Sequence, residues 1–266
     1  MSEYALQLSE VELARYQYMA EVAAGMEGPL WAASGVVEGA AVADIGCGPG
    51  AMTAVLARLV GPAGRVVAVD REPATVEAAR AAAAHAGVDN VSVEVGEADR
   101  TGIAPASVDV AMIRHVLAHN GGREQAVVAH AASLVRPGGF VYLVDIDMTA
   151  VRHRPEDPDV DDLTARYQAW HAQRGNDLSV GLRLGELLAA VGLEVVDYQG
   201  RYQVIDSPPG MRPPSWAARD ALVAAGLATV ADLERWGSAF ERMDRAEPRP
   251  TTFVPLFFAC GRRPSA

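Results

Sequence analysis

The segment from residue 41 to residue 146 alternates short apolar runs with longer stretches of helical periodicity. Each run has the length of a strand, and the stretches between them are long enough for helices. Strands joined by helical crossovers run parallel, and a parallel sheet needs helices on both faces. The pattern therefore predicts a doubly wound α/β sheet. The predicted strands are 41–45, 65–69, 91–95, 108–113 and 140–146, and the predicted helices are 51–60, 73–86 and 124–135.

A helix is also predicted before the first strand. Apolar residues recur at helical spacing over 8–26, and Ser9 is placed to act as the N-cap. Gly28 and Pro29 are typical helix-ending residues, so the helix is predicted to end there and to be followed by a short second helix at 30–34.

The pattern is looser after residue 147, but it still predicts helices and strands. Helical spacing occurs in three segments, and two apolar runs have the character of strands. Pro255 in the last run indicates an edge position or a bulge, because proline cannot donate to a sheet ladder. The predicted helices lie within 155–175, 181–191 and 216–245, and the predicted strands within 193–205 and 251–261.

Composition narrows the class of protein. A chain of 266 residues with 50% hydrophobic residues can bury one large core. The net charge of −11, without a basic block, argues against a nucleic-acid partner. The polar, acidic N-terminus does not resemble a secretory signal, and no apolar run reaches the roughly 18 residues of a membrane span. Cys47 and Cys260 form neither a disulfide framework nor a paired-cysteine metal motif, so we expect a cytoplasmic protein without a metal.

The end of the first predicted strand carries the most informative motif, Asp44-Ile45-Gly46-Cys47-Gly48-Pro49-Gly50. Glycines allow a sharp turn and a close approach of a ligand to the backbone. The bare pattern also fits a dinucleotide-binding loop. However, Asp44 would repel a diphosphate, and Pro49 removes an N–H that a phosphate would need. These two residues favour a cationic adenosyl ligand, namely S-adenosylmethionine.

Three further segments complete a resemblance to the class I S-adenosylmethionine-dependent methyltransferases that act on small molecules. Asp70 ends the second strand with an acid suited to ribose hydroxyls. Gly96-Glu97-Ala98 is similar to the family's adenine-contacting segment, and 134–139 (Leu-Val-Arg-Pro-Gly-Gly) matches the turn before its fifth strand. The resemblance covers roughly 41–146, and a composition rich in Ala, Gly, Val and Arg indicates a bacterial, actinomycete-like origin.

The resemblance implies a Rossmann-like sheet of seven strands, the last antiparallel, with helical cap insertions on a single domain. It also implies S-adenosylmethionine as the cofactor and S-adenosylhomocysteine as the product. Asp99 is an alternative to Glu97, and Arg114 stands where the family has a small residue. The implied cofactor-binding residues are Asp44, Gly46, Cys47, Gly48, Gly50, Asp70, Arg71, Glu97, Ala98 and Arg114.

Methyl transfer to a hydroxyl needs an in-line pair of reactants and the removal of a proton. His119 is the leading candidate for the base, and His115 is the second. Both follow the fourth strand, at the edge of the sheet where ligands bind in such folds. Asp145 and Asp147, at the end of the fifth strand, are further candidates.

The topology also predicts how the 266 residues are divided. A cap of three pieces is expected above one acceptor pocket, on the cofactor side of the sheet. The predicted parts are an N-terminal helical cap (1–40), a cofactor-binding core (41–147), a cap insertion (148–180), the last helix and strands (181–206 and 251–262) and a helical insertion (207–250).

The favoured function is methyl transfer to a small molecule in specialised metabolism, with oxygen preferred over carbon or nitrogen. A cyclase or pericyclase-like enzyme that keeps the cofactor without methylating is the main alternative. A nicotinamide-dependent oxidoreductase and a binding module without turnover are also open. The sequence predicts no nucleic-acid or membrane partner, and it leaves the choice between monomer and homodimer open.

Overall fold

The computed structural model describes residues 10–206 and 208–265, in which strands and helices alternate along the chain. The strands are β1 (Ala41–Ile45), β2 (Arg65–Asp70), β3 (Val91–Val95), β4 (Val108–Arg114), β5 (Val135–Ile146), β6 (Arg152–Arg154), β7 (Glu194–Ile205) and β8 (Thr251–Arg262). The helices are α1 (Glu10–Ala33), α2 (Ala51–Val60), α3 (Pro73–His85), α4 (Glu124–Leu134), α5 (Pro158–Gln173), α6 (Leu184–Ala190), α7 (Pro214–Ala217), α8 (Arg219–Ala224) and α9 (Val230–Arg245).

The described strands form one mixed sheet in the order β3-β2-β1-β4-β5-β8-β6, with β7 on the other edge of β8. The first five strands are parallel, and β8 is antiparallel to β5, β6 and β7. Every residue of β1 is buried because helices cover both faces of the sheet. The predicted doubly wound α/β fold is therefore confirmed.

Alternate residues of the central strands enter two different apolar cores. Ala43 and Ile45 of β1 point to the face covered by α4 and α6, whereas Val42 points to the face covered by α1 and α2. This alternation follows from the period of two in a strand. Both faces are apolar, which explains why β1 has no alternating polar positions.

The opening helix differs from the prediction. Gly28 and Pro29 do not end it, because α1 is one helix that continues to Ala33. Pro29 is exposed, whereas Glu27 and Trp31, which flank it, are buried. The Trp31 indole N–H donates to the Glu27 carboxylate at 3.1 Å. Packing on both sides of the proline therefore outweighs the lost backbone hydrogen bond. The predicted N-cap, Ser9, lies outside the described residues.

The far edge of the sheet also differs. The described residues contain eight strands and not seven, because the short strand β6 pairs with Thr251–Phe253 of β8. Pro255 is interior to the sheet, since β7 pairs with the whole length of β8. On its other edge β8 pairs first with β6 and then with β5, and Pro255 lies in the gap between these two partners. No described strand there needs the N–H that proline lacks. Of the two placements predicted for Pro255, an edge position or a bulge, the edge position is therefore wrong.

The predicted helical stretch 216–245 consists of three helices. Gly226, at φ 71°, allows the turn that follows α8. The hydroxyl of Thr229 accepts from the Asp232 backbone N–H, and Asp232 in turn accepts from the Thr229 N–H, so a capping box begins α9. The glycine turn and the capping box thus separate α8 from α9 within a stretch that has continuous helical spacing.

Helices α5, α7, α8 and α9 enclose a third apolar core, separate from the two beside the sheet. Its largest buried side chains include Leu163, Trp170 and Trp236. On the surface of this unit Arg235 of α9 pairs with Asp159 and other acids of α5 and α9. We call these four helices the cap. Within the described residues, no helix combines the length and the apolarity that crossing a membrane requires.

Candidate active site

The glycine loop turns sharply after β1. The backbone N–H groups of Gly46 and Cys47 both donate to the Val69 carbonyl, at 2.7 and 3.0 Å. Gly46 and Gly48 have φ angles of 73° and 55°, which favour glycine, and both line a cavity. Gly50 also has a positive φ, but a Cβ there would lie 2.8 Å from the Cα of Ala79. Gly50 therefore serves the packing of α2 against α3 and does not line the cavity.

Asp70 connects the end of β2 to this loop. Its carboxylate accepts from the backbone N–H of Gly48 at 3.0 Å and of Glu72 at 3.1 Å. Burial raises the pKa of Asp70, while these two hydrogen bonds lower it. Each carboxylate oxygen has a second lone-pair site, so Asp70 keeps the capacity to accept from a ligand hydroxyl.

Asp44 is a second acid in the crevice and is buried beneath it. The Thr53 hydroxyl donates to its carboxylate at 2.7 Å. Burial raises the pKa of Asp44 from 3.8 to about 6, against the effects of Thr53 and Arg114, and the nearby Asp70 raises it further. A cation in the crevice would stabilise the ionised form of both acids.

Arg114 is held toward the opening helix. Its guanidinium pairs with the Glu27 carboxylate, which is fully buried and also accepts from Tyr142. Arg114 still lines the cavity, with 12% of its side chain exposed. Glu27 is thus the partner that keeps an arginine beside the crevice, and the sequence analysis did not identify it.

The segment after β3 contains Glu97 and Asp99, the two acids predicted as alternatives for contacting adenine. Arg123 donates to both oxygens of Asp99, at 2.6 and 3.1 Å, and more weakly to Glu97 at 3.3 Å. Glu97 and Ala98 line the cavity, as does Arg71. The Asp99 carboxylate is therefore committed to Arg123, and Glu97 is the better placed of the two.

His115 has the unusual backbone of the site, with φ at 55°. A residue with a Cβ is strained there, and such strain is found most often at functional sites. The ring Nδ1 lies 3.9 Å from an oxygen of Asp145, which is 1% exposed. Backbone N–H groups of Ala118 and Ile146 donate to Asp145, at 3.2 and 3.0 Å, and keep its carboxylate in place.

His119 also lines the cavity, but it sits deeper among aromatic rings. Its ring centroid is 5.0 Å from that of His171, whose ring packs against Tyr167 and Trp170. Burial lowers the pKa of His119, although the Asp145 charge opposes this effect. The ring is neutral at pH 7. Asp147, the other predicted alternative, caps the turn after β5 by accepting from Thr149.

The cavity has a volume of about 370 Å³, which is in the range of small-molecule sites. It extends from the glycine loop to the region beneath the cap. Gln203 of β7, which the sequence analysis did not single out, is among its lining residues. The opening helix and the two later insertions contribute Arg15, Tyr16, Met19, Met148, Thr164, Tyr167, Met211, Arg212, Phe240 and Met243 to its walls.

Comparisons with known proteins agree with this geometry. The sequence profile of a methyltransferase domain family matches residues 37–180. Aklanonic acid methyltransferase DauC of Streptomyces sp. (strain C5) is 30% identical over 164 residues, which are 53% of this chain and 72% of that protein. Nocamycin O-methyltransferase of Saccharothrix syringae is 37% identical over 100 residues, 38% of this chain and 35% of that protein. Two other curated relatives are matched over about a third of their length.

The fold is also similar to solved structures. The crystal structure of the 4+2 cyclase SpnF superposes with a TM-score of 0.56 at 16% identity, over 94% of this chain and 82% of that one. Such low identity establishes a shared fold and no shared reaction.

The fold is that of a Rossmann-like protein, and its crevice lies beside the glycine loop with the carboxylates of Asp44 and Asp70 on its wall. The profile match covers more than half of the chain, so the chain belongs to the methyltransferase domain family. Its cofactor is S-adenosylmethionine, as the sequence analysis predicted. The crevice fits this cofactor, because the Asp44 carboxylate suits a sulfonium and an ammonium group and would repel a diphosphate, and Asp70 keeps the capacity to accept from a ribose hydroxyl.

Proposed function

We propose that this protein transfers a methyl group from S-adenosylmethionine to a hydroxyl oxygen of a small molecule in specialised metabolism. The observation that carries the proposal is His115, held in a strained backbone beside the buried Asp145 and facing the cavity that joins the glycine loop to the cap. The names of the two actinomycete relatives, one of them an O-methyltransferase, support this acceptor class.

Four residues around the crevice would contact the cofactor. Asp44 would face its positive charges, and Asp70 would accept from the ribose hydroxyls. Glu97 and the Ala98 backbone would contact adenine. When bound, S-adenosylmethionine supplies a methyl group on a positively charged sulfur, which leaves as the neutral thioether of S-adenosylhomocysteine. The protein adds position and water exclusion, since the cap roofs the cavity.

We place His115 ahead of His119 as the general base. The Nε2 atom of His115 would accept the hydroxyl proton while the Asp145 charge, 3.9 Å from Nδ1, stabilises the resulting imidazolium. His119 has the same charge nearby, but it packs among other aromatic rings, and burial lowers its pKa and so disfavours the imidazolium that a base must form. In this scheme His119 shapes the wall of the pocket.

A cyclisation that keeps the cofactor without methylating is the second candidate function. The fold shared with SpnF supports it, because that protein is a cyclase. The two functions differ in their products: methyl transfer converts the cofactor to S-adenosylhomocysteine, whereas a cyclisation leaves it unchanged.

Cofactor binding and turnover test the proposal separately. We expect micromolar S-adenosylhomocysteine to raise the melting temperature and NAD to leave it unchanged. Asp70→Ala should abolish that shift. With a phenolic acceptor, His115→Ala should lower kcat by about 100-fold or more without changing S-adenosylhomocysteine binding, and His119→Ala should have the smaller effect. A thermal shift caused by NAD alone would refute the proposal, and full activity of His115→Ala would refute the assignment of the base.

The place of action is part of the proposal as well. Cys47 and Cys260 are both free and buried, and burial raises the pKa of each thiol. Two unoxidised, unreactive cysteines are consistent with a reducing cytoplasm.

A further inference from the structure

The cavity has a floor made by the part of the sheet that extends past the end of β5. Here β8 lies between β6 and β7, with His153 paired to Thr252, Thr252 to Ile205, and Val254 to Gln203. These five residues all line the cavity. We call them the floor. Its polar members are His153, Thr252 and Gln203, set among apolar neighbours.

Gln203 has no hydrogen-bond partner at its buried Oε1 atom within the described residues. The side chain is only 7% exposed. An unpaired buried amide oxygen is unfavourable. A ligand in the cavity that donates a hydrogen bond would supply the missing partner.

The floor is uncharged at neutral pH. The His153 Nδ1 atom lies 3.0 Å from the Thr252 hydroxyl oxygen, and burial lowers the pKa of His153. The two arginines nearby are engaged by a single residue, since Arg212 pairs with the Asp244 carboxylate at 2.7 Å and Arg249 donates to the Asp244 carbonyl. A carboxylate or phosphate on the acceptor would have to compete with the Asp244 carboxylate for these cations.

We infer that the floor binds a second, uncharged polar group of the acceptor, a hydroxyl or an amide N–H that donates to Gln203 Oε1. This inference rests on the proposed function and names its substrate class. The acceptor is a neutral, largely apolar molecule with at least two polar groups. One group is methylated beside His115, and the other is held by Gln203 on the floor.

Three naphthalenes substituted at positions 2 and 6 test the inference by fluorescence titration in saturating S-adenosylhomocysteine. We expect 2,6-dihydroxynaphthalene to bind the wild type, and 6-hydroxy-2-naphthoate to bind it more weakly. Gln203→Leu should weaken binding of the diol by about fivefold to tenfold, as loss of one neutral hydrogen bond predicts. It should not change the binding of 2,6-dimethoxynaphthalene, which has no donor.

Gln199→Leu is the matched control. Gln199 lies on the same strand, but its amide is bound to Asp197 and Arg201 and it does not line the cavity. This variant should bind the diol as the wild type does. Without ligand, Gln203→Leu should melt no lower than the wild type, because it removes an unpaired polar group.

Four results would overturn the inference: no binding of the diol to the wild type, unchanged diol binding by Gln203→Leu, tighter binding of the naphthoate, or a ligand-free Gln203→Leu protein that melts well below the wild type. Failure of S-adenosylhomocysteine to stabilise the wild type would instead count against the proposed function, so the two failures are distinguishable.

Discussion

His115 combines a strained backbone conformation with a proposed role as the general base. Its φ of 55° is costly for any residue with a Cβ, by about 1–2 kcal/mol. The chain retains histidine at a position where glycine would be free of strain. In the proposed function the imidazole beside Asp145 is the general base, a role that glycine could not fill.

Glycine at this position separates strain from function. We predict that His115→Gly is more stable than His115→Ala by about 1 kcal/mol in urea unfolding, because both lose the ring and only glycine relieves the backbone. Both variants should lose methyl transfer alike. Ala106, an exposed residue at φ 51°, is the control, since Ala106→Gly should be more stable than the wild type and fully active. Equal stability of the two His115 variants would contradict the prediction.

Asp44 makes stability depend on pH. Its pKa is raised from 3.8 to about 6 in the folded protein, chiefly by burial, so the folded state binds more protons than the unfolded state between these values. The resulting stabilisation is fully present below pH 3.8 and is lost as the pH rises through 6. Asp44→Asn removes this dependence.

The two proteins should therefore diverge with pH. Relative to wild type, we predict that Asp44→Asn gains about 3 kcal/mol in free energy of unfolding between pH 4 and pH 7.5. Urea unfolding of both proteins at several pH values measures the difference. Parallel curves would mean that Asp44 is not the group that titrates in this window.

At the scale of elements, α1 carries a proline that it would be more stable without. Pro29 lies within the helix and is exposed, so its side chain contributes little packing. We predict that Pro29→Ala stabilises the protein by about 1–3 kcal/mol, because alanine restores a backbone donor and removes a steric clash. Urea unfolding measures this change. Gly28→Ala, where a Cβ would meet nothing within 4 Å, should add about 1 kcal/mol. A destabilised Pro29→Ala protein would show that the helix needs the proline for its path.

The same scale separates what the sequence could predict from what it could not. The central strands β1, β2, β4 and β5 were recognisable because burial on both faces makes each a mainly apolar run, and the predicted fold is confirmed. The continuation of α1 to Ala33 could not be predicted, because the contacts of the buried Glu27 and Trp31 outweigh the tendency of Gly28 and Pro29 to end a helix. Strand β6 has three residues, too few to show a period.

Gln203 escaped prediction for a different reason. It shares the parity of Asp197, Gln199 and Arg201 along β7, and a polar residue at every second position indicates a face toward solvent. Only the far end of that face is covered by the cap, and the cap comes from distant segments. A strand pattern contains no information about such a cover.

At the scale of the whole molecule, the cap and the sheet have separate apolar cores. We predict that they open independently, because few buried contacts join them. In hydrogen exchange, amides of α5, α8 and α9 should exchange faster than those of β1, β4 and β5. An acceptor-like ligand such as 2,6-dihydroxynaphthalene should slow exchange in the cap more than in the sheet. Uniform protection of both parts would show that the molecule opens as a single unit.

Strand β8 belongs to both the cofactor-bearing sheet and the floor. Within β8, residues Leu256–Arg262 lie beside β5 in the cofactor-bearing sheet, and Thr251–Phe253 continue into the floor. The cofactor side and the acceptor side of the cavity are therefore separated by a few residues of one extended strand, each about 3.4 Å long. The walls can move as the helices above them open, whereas the spacing between the cofactor-bearing sheet and the floor is set by the covalent geometry of β8.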